Sequence, residues 1–359
     1  MGKMLGSQSV LFERPPRIIG EGCVVGPKEG EGPLAAYFDR IWKDEKDGAE
    51  SWEKAESQLA QQSLRVAMSK AGVKKEQIRL LAAGDLLNQL TATHFGVREL
   101  GIPFVGAYGA CPTMGLSMLL AAMAIDGGFA DLAAAEASSH FCTSEKQFRT
   151  PLGYGSQRPL YATWTVTGSG AVVLSSDNVP TKPMNREVVV RGGTIGRIVD
   201  YGVKDAFNMG GAMAPAAADV LLAHFRDFDR QPSDYDCIYT GDLGYYGAEL
   251  LTKMMEAEGY LMEGHYRDCG TLIYDSEEQD THGGGSGCGC SAVTFTGYLM
   301  RKLRAGKLDR ILFVPTGALL SPLSTQQGES IPCIAHALII ESQRPEIRAA
   351  ERSGCEWTI

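Results

Sequence analysis

The chain has 359 residues, of which 44% are hydrophobic and 21% are charged, a composition typical of a globular protein with a sizeable core. Its net charge of −9 argues against a nucleic-acid-binding surface, because phosphate contacts need clustered lysine and arginine. We expect no secretory leader, and the longest strongly apolar run, Leu116 to Ile125, is too short to cross a bilayer.

The cysteines are an odd number spread through a long chain, which favours reduced thiols over a disulfide framework. Cys288 and Cys290 form the one close pair, and neither a second pair nor a histidine follows at metal-ligand spacing. We therefore predict small buried residues at a helix start, and neither a metal site nor a cofactor.

Two local patterns occur twice along the chain. Amphipathic helices predicted over Glu50–Ala71 and Pro215–Phe225 each precede a β-rich run that ends in Gly-Asp-Leu, at Asp85 and at Asp242. The second pattern is a glycine and cysteine turn, a helix, and a strand: "GGFADLAAAEAS" in one half and "AGKLDRILFVPTG" in the other. Such a repeat predicts an α/β fold of two pseudo-symmetric halves, residues 1–180 and 181–359, joined near the proline-containing segment Asn178–Asn185.

Cys111 follows the predicted strand "IPFVGAYGA" and precedes a helix, "MGLSMLLAAMAI", that is apolar on every face and so is predicted to be central. We expect Pro112 at the first helical position, which places the thiol at the helix N-terminus. The helix dipole there favours the thiolate, so Cys111 is a candidate nucleophile or anion contact. The alternative is a plain buried cysteine.

Two segments of the second half carry no catalytic motif on their own. The acidic tract Asp275–Asp280 is predicted to be a solvated loop. The glycine run Gly283–Gly289 is compatible with main-chain anion binding or with tight packing of a second central helix.

The cysteine-headed helix, the strand "TGSGAVVLS" (Thr167–Ser175) and the second-half "VPTGAL" together resemble the thiolase superfamily, in its ketoacyl synthase III-like branch. From "FERPPRIIGEGCVVGPKEGEGPL" to "SIPCIAHALIIE", the chain is similar to a family of stage V sporulation proteins of spore-forming bacilli. The resemblance implies the five-layered αβαβα thiolase fold and a homodimer.

The resemblance also implies that the catalytic set is incomplete. Cys111 matches the nucleophile, but "YTGDLGYYG" stands where the synthases have a histidine segment, and Asp242 lies nearby. At the third catalytic position, "THGGGSGCGCSA" offers His282 or Ser286 as the nearest substitute. Because activation of the thiol needs a base and oxyanion donors, we expect Cys111 to be a relic nucleophile in a non-enzymatic protein.

For the sporulation family, the resemblance implies binding of dipicolinic acid (pyridine-2,6-dicarboxylate), alone or with calcium. It further implies uptake of this compound into the developing spore together with other stage V sporulation A membrane proteins, at the periphery of the spore inner membrane. The alternative is an acyltransferase with Cys111 as nucleophile.

A dicarboxylate needs cationic or hydrogen-bonding partners, and the loop "ASSHFCTSEKQFRTPLGYGSQRPLYATW" carries several, with a tryptophan as a stacking face. The same charges would equally suit a surface or dimer loop, and a histidine there would equally suit a structural role. The predicted ligand-binding residues are Cys111, His140, Lys146, Arg149, Arg158, Trp164, Asp242 and His282.

Overall fold

The computed structural model describes residues 3–148, 158–182 and 184–345. Its strands before residue 180 are β1 (Lys3–Leu5), β2 (Ser9–Leu11), β3 (Arg17–Val25), β4 (Arg40–Ile41), β5 (Leu80–Gly84), β6 (Phe104–Gly106), β7 (Leu132–Ser139), β8 (Trp164–Thr165) and β9 (Gly168–Ser175). From β3 to β8 these strands alternate with helices, as the sequence pattern predicts.

The strands after residue 180 are mostly buried and rich in β-branched residues. They are β10 (Glu187–Thr194), β11 (Cys237–Thr240), β12 (Tyr266–Asp268), β13 (Gly285–Ser286), β14 (Arg310–Val314), β15 (Thr316–Ala318), β16 (Cys333–Ala335) and β17 (Ala337–Gln343).

The α-helices vary from short turns to twenty-residue elements. They are α1 (Pro27–Gly30), α2 (Trp52–Ala71), α3 (Thr91–Val97), α4 (Thr113–Asp126), α5 (Phe141–Phe148), α6 (Met209–Phe228), α7 (Gly244–Ala257), α8 (Cys269–Ile273), α9 (Cys288–Val293), α10 (Met300–Arg304) and α11 (Pro322–Gln326). A π-helical segment, Thr294–Leu299, makes α9 and α10 continuous.

The two halves repeat one strand order, β3-β9-β7-β5-β6 in the first and β10-β17-β14-β11-β12 in the second. The directions also agree: the first two pairings of each set are antiparallel and the last two are parallel. A short antiparallel contact between β3 and β10 joins the sets edge to edge. The pseudo-symmetric fold is confirmed; the boundary at residue 180 stays a prediction, within the interval between β9 and β10.

Five layers follow from how the helices cover the sheets. Helix α2 packs on the outer face of the first set, and α6 packs on the second set with α7 beside it. Helix α4 and the α9–α10 segment lie between the two sets, where α4 contacts β7 on one side and β17 on the other. The all-apolar surface of α4 is therefore accounted for by its central place.

Several helix ends differ from the sequence predictions, most clearly the starts of α6 and α4. Helix α6 begins at Met209 and not at Pro215, because Asn208 caps it by accepting a hydrogen bond from the Gly211 amide, which leaves the proline inside the helix. Helix α4 begins at Thr113, so Pro112 is its N-cap residue and Cys111 precedes the helix. No helix among the described residues is long and apolar enough to span a bilayer.

The cysteines of the described segments are all free thiols, as predicted. Cys288 and Cys290 begin α9, where Cys288 Sγ donates to the Ala110 carbonyl at 3.0 Å and Cys290 Sγ to that of Gly241 at 3.3 Å. The interpretation of this pair as buried helix-start residues is confirmed.

The carboxyl groups of Glu56 on α2, of Asp85 after β5 and of Glu136 on β7 are all buried. Glu56 accepts a hydrogen bond from the Thr143 hydroxyl at 2.6 Å, and Glu136 accepts one from Ser169 at 2.7 Å. Burial raises the pKa of Glu136 to about 8, and burial followed by the charges of Asp85 and Glu136 raises the pKa of Glu56 well above its usual value. Glu136 is therefore mostly protonated in the folded protein near neutral pH.

We expect Glu136→Gln to flatten the pH dependence of stability. The raised pKa means that folding binds a proton, so the stabilisation is complete below about pH 4.5 and is lost as the pH rises through about 8. Denaturant unfolding measured from pH 5 to 8.5 should show a smaller loss of stability in this variant than in the wild type. Glu50→Gln, at an exposed position, is the control; an equal loss in all three proteins would contradict the assignment.

Candidate functional site

A cavity lies before the N-terminus of α4, with walls from both halves of the chain. It encloses about 430 Å³ of empty space, counting the part open to solvent. The walls come from loops after β5 and β6, from α5, from the β8–β13 pair, from the start of α6 and from the end of β15. The lining residues are Leu86, Tyr108, Ala110, Cys111, Ser144, Glu145, Phe148, Thr165, Met209, Ser286, Gly287, Ala318 and Leu320.

Cys111 is placed in this wall by a left-handed turn. Ala110 has φ of +60°, a conformation that redirects the chain sharply between the end of β6 and α4. Its carbonyl is held from two sides, by the Thr113 hydroxyl at 2.6 Å and by the Cys288 thiol at 3.0 Å. The Cys111 side chain is buried and faces the cavity.

Asp242 lies next to Cys111, reaching it from the second half of the chain. The Cys111 thiol lies close enough to the Asp242 carboxyl group for each to shift the pKa of the other. The same carboxylate accepts from the Gly287 amide and from the Thr316 hydroxyl, each at 2.9 Å. Thiol, carboxyl and amide therefore form one buried network across the interface of the halves.

Burial changes the protonation of both acidic groups. Burial, followed by the negative charge of Asp242, raises the pKa of Cys111 well above its usual value. Burial also raises the pKa of Asp242 to about 7, although the thiol and the Gly287 amide lower it. The expectation of a helix-stabilised thiolate is wrong: Cys111 precedes the helix, lies in an apolar wall and faces a carboxylate.

Of the two substitutes at the third catalytic position, the structure brings only one to the cavity. Ser286, on β13, lies in the wall. His282 is outside the lining; its Nδ1 contacts the Pro159 carbonyl at 3.1 Å and its Nε2 contacts Asp280 at 2.9 Å.

His140 and Lys146 have partners other than the cavity. His140 is buried: its Nδ1 accepts from the Cys142 amide at 3.1 Å, so its Nε2 carries the hydrogen and donates to the Glu45 carbonyl at 2.7 Å. Burial lowers the pKa of His140, which is consistent with a neutral structural histidine. Lys146 is exposed and forms an ion pair with Glu53 at 2.6 Å.

Arg158 and Trp164 form a second group beside the cavity. Trp164 stacks on Phe141 with ring centroids 3.9 Å apart, and the guanidinium of Arg158 lies 4.9 Å from the Trp164 ring centre. Arg158 also pairs with Asp280 at 2.8 Å. Neither Arg158 nor Trp164 lines the cavity, and Arg149 lies outside the described residues.

Sequence reasoning missed three polar residues of the wall: Ser144, Glu145 and Thr165. Ser144 and Glu145 lie on α5 inside the loop that was singled out for its cations, and they lacked any motif. Leu86, by contrast, lies in a recognisable pattern, because it is the last residue of the repeated Gly-Asp-Leu motif at the end of β5.

The glycine run serves packing, and one of its amides also serves the site. A Cβ atom at Gly289 would lie 2.7 Å from the Gly168 carbonyl oxygen, so α9 approaches β9 too closely for a side chain. The Gly287 amide, by contrast, donates to Asp242 and contacts the Cys111 sulfur.

Solved structures with a similar fold include OleA of Xanthomonas campestris. A histidine-to-alanine variant of OleA has a TM-score of 0.58 at 16% identity, with 92% of this chain and 99% of that chain covered. A cerulenin-bound OleA has a TM-score of 0.56 at 15% identity, with 91% and 98% covered. At this identity the likeness shows the fold, which is thiolase-like.

Sequence comparison is more specific. The family model of Stage V sporulation protein AD (SpoVAD) matches residues 6–341. Stage V sporulation protein AD of Bacillus subtilis (strain 168) is 44% identical over 339 residues, which cover 94% of this chain and 98% of that protein. The chain therefore belongs to the stage V sporulation protein AD family and has the thiolase-like fold.

Proposed function

We propose that this sporulation protein is a non-enzymatic receptor that binds dipicolinic acid in the cavity beside Cys111. The observation that carries the proposal is the pairing of Cys111 with Asp242 where a condensing enzyme needs a basic histidine. A buried thiol whose pKa is raised by a neighbouring carboxyl group is a poor nucleophile, because the thiolate is the reactive species. The cavity of an enzyme fold is then available for binding alone.

The walls suit a flat aromatic ring with polar substituents. Phe148, Met209 and Leu320 supply apolar surface, while hydroxyl groups and the Cys111 thiol supply polar contacts. Near neutral pH, Asp242 carries a proton for part of the time, so it is not a fixed negative charge behind the thiol.

The charge of the lining bears on the form of the ligand. None of the described residues that line the cavity is cationic, and Glu145 contributes a carboxylate. A dianion would need compensation from the adjoining segment that carries Arg149 and Arg158, or from calcium bound with it. Arg149 and Arg158 therefore stay our candidates for the carboxylate partners.

We expect saturable binding of dipicolinate by calorimetric titration, and weaker binding in Cys111→Ala and Arg149→Ala. Glu145→Gln should bind free dipicolinate roughly tenfold more tightly, since it removes a like charge. If the calcium chelate is the ligand, the same variant should bind less tightly when calcium is present. Lys253→Ala, which breaks an exposed ion pair with Glu249, is the control. The absence of binding heat with and without calcium would contradict the proposal.

The wider role follows from the family. We propose that the protein acts in dipicolinate uptake into the developing spore, at the periphery of the spore inner membrane and with other stage V sporulation A membrane proteins. We also propose a homodimer. The sheet ends at β6, and the exposed Val105 on that edge strand, with Phe95 nearby, offers an apolar pairing surface.

Acyl transfer is the second candidate. It is favoured by the strained turn at Ala110, which presents Cys111 to the cavity, and by the Gly287 amide beside the sulfur. Incubation with acyl-coenzyme A and peptide mass analysis tests it: a mass increase at Cys111, absent in Cys111→Ala, would support the enzyme and oppose the receptor.

A further inference from the structure

Three hydroxyl groups in the cavity wall are left without protein partners. Ser144, Thr165 and Ser286 are each about 4% exposed and line the cavity. The Ser144 hydroxyl oxygen is fully buried and has no hydrogen-bond partner among the described residues. The side chains of Thr165 and Ser286 likewise make no hydrogen bond within the described segments.

Thr165 and Ser286 are neighbours by strand register. Strands β8 and β13 form a parallel pair in which Trp164 lies opposite Gly285 and Thr165 opposite Ser286. Residues at paired positions project from the same face, and neighbouring strands lie about 4.8 Å apart. The two hydroxyl groups therefore stand side by side on one wall of the cavity.

The Ser144 hydroxyl is buried and unsatisfied, which costs free energy, and those of Thr165 and Ser286 are open to the cavity, so all three are free to bind an acceptor placed there. The neighbouring Ser139 shows the usual solution: its hydroxyl donates to the Val166 carbonyl at 2.6 Å and accepts from the Gly289 amide at 2.9 Å. The wall hydroxyls have no such protein partners in the described residues, and they line the cavity.

We propose that Thr165 and Ser286 form a hydroxyl fork that binds one carboxylate group, with Ser144 as an additional donor from α5. A carboxylate has two oxygens about 2.2 Å apart, and each accepts a hydroxyl donor at about 2.7 Å, a span that suits donors on adjacent strands. Neutral donors also suit a wall that already contains Glu145. This inference rests on the proposed function and deepens it, since it names the groups that recognise the pyridine carboxylate.

The test compares three probes by calorimetry: pyridine-2,6-dicarboxylate, pyridine-2-carboxylate and the uncharged pyridine-2-carboxamide. Thr165→Val and Ser286→Ala should each weaken carboxylate binding by about 10- to 100-fold, the effect of losing a hydrogen bond to a charged group. The carboxamide should be affected less. Thr165→Ser, which keeps the hydroxyl, should restore binding.

Ser117→Ala is the matched control, because Ser117 is a buried serine of α4 with an unpartnered hydroxyl outside the cavity lining. Thermal unfolding of every variant checks that the fold is intact. If the wild type binds both carboxylates and the fork variants bind equally well, the fork is wrong while the receptor proposal stands. If the wild type binds neither carboxylate, both are wrong.

Discussion

The close approach of the Cys111 thiol to the Asp242 carboxyl group depends on both halves of the chain. The thiol comes from the turn before the first central helix, and the carboxylate comes from the segment after β11 in the second half. The Gly287 amide, at the head of the second central helix, closes the network. Because this network joins both halves, the shape of the cavity beside it depends on how the two halves pack together.

The same interaction decides what chemistry is available. A histidine beside the cysteine would take its proton and release a nucleophile. Asp242, buried and itself exchanging a proton near neutral pH, holds the thiol in its protonated form instead. This protonated thiol supports our proposal that the cavity binds a ligand without covalent chemistry, because the thiolate is the reactive species.

Much of the fold was predictable because duplication leaves a visible trace. The repeated helix, β-rich run and Gly-Asp-Leu pattern mark equivalent strands, β5 and β11, and an all-apolar helix can only be central. Cys111 and Asp242 both lie within repeated patterns, Cys111 in the glycine and cysteine turn and Asp242 in the second Gly-Asp-Leu.

The rest of the site depends on contacts between distant segments, which no local pattern records. From the sequence, Lys146 is a candidate ligand residue, but in the fold it pairs with Glu53 of α2. His140 is another candidate, but its imidazole hydrogen-bonds to the Glu45 carbonyl in the loop before α2. Conversely, Thr165 carries no motif, and only the register of two short strands places it beside Ser286.

The most direct test of the account is the rate at which Cys111 is alkylated, followed by peptide mass analysis with and without saturating dipicolinate. Cys142, which is only partly buried, serves as the internal control. The account predicts slow alkylation of Cys111 that dipicolinate slows further, with no change at Cys142. Binding of dipicolinate that leaves the Cys111 rate unchanged would place the ligand elsewhere and contradict the central claim.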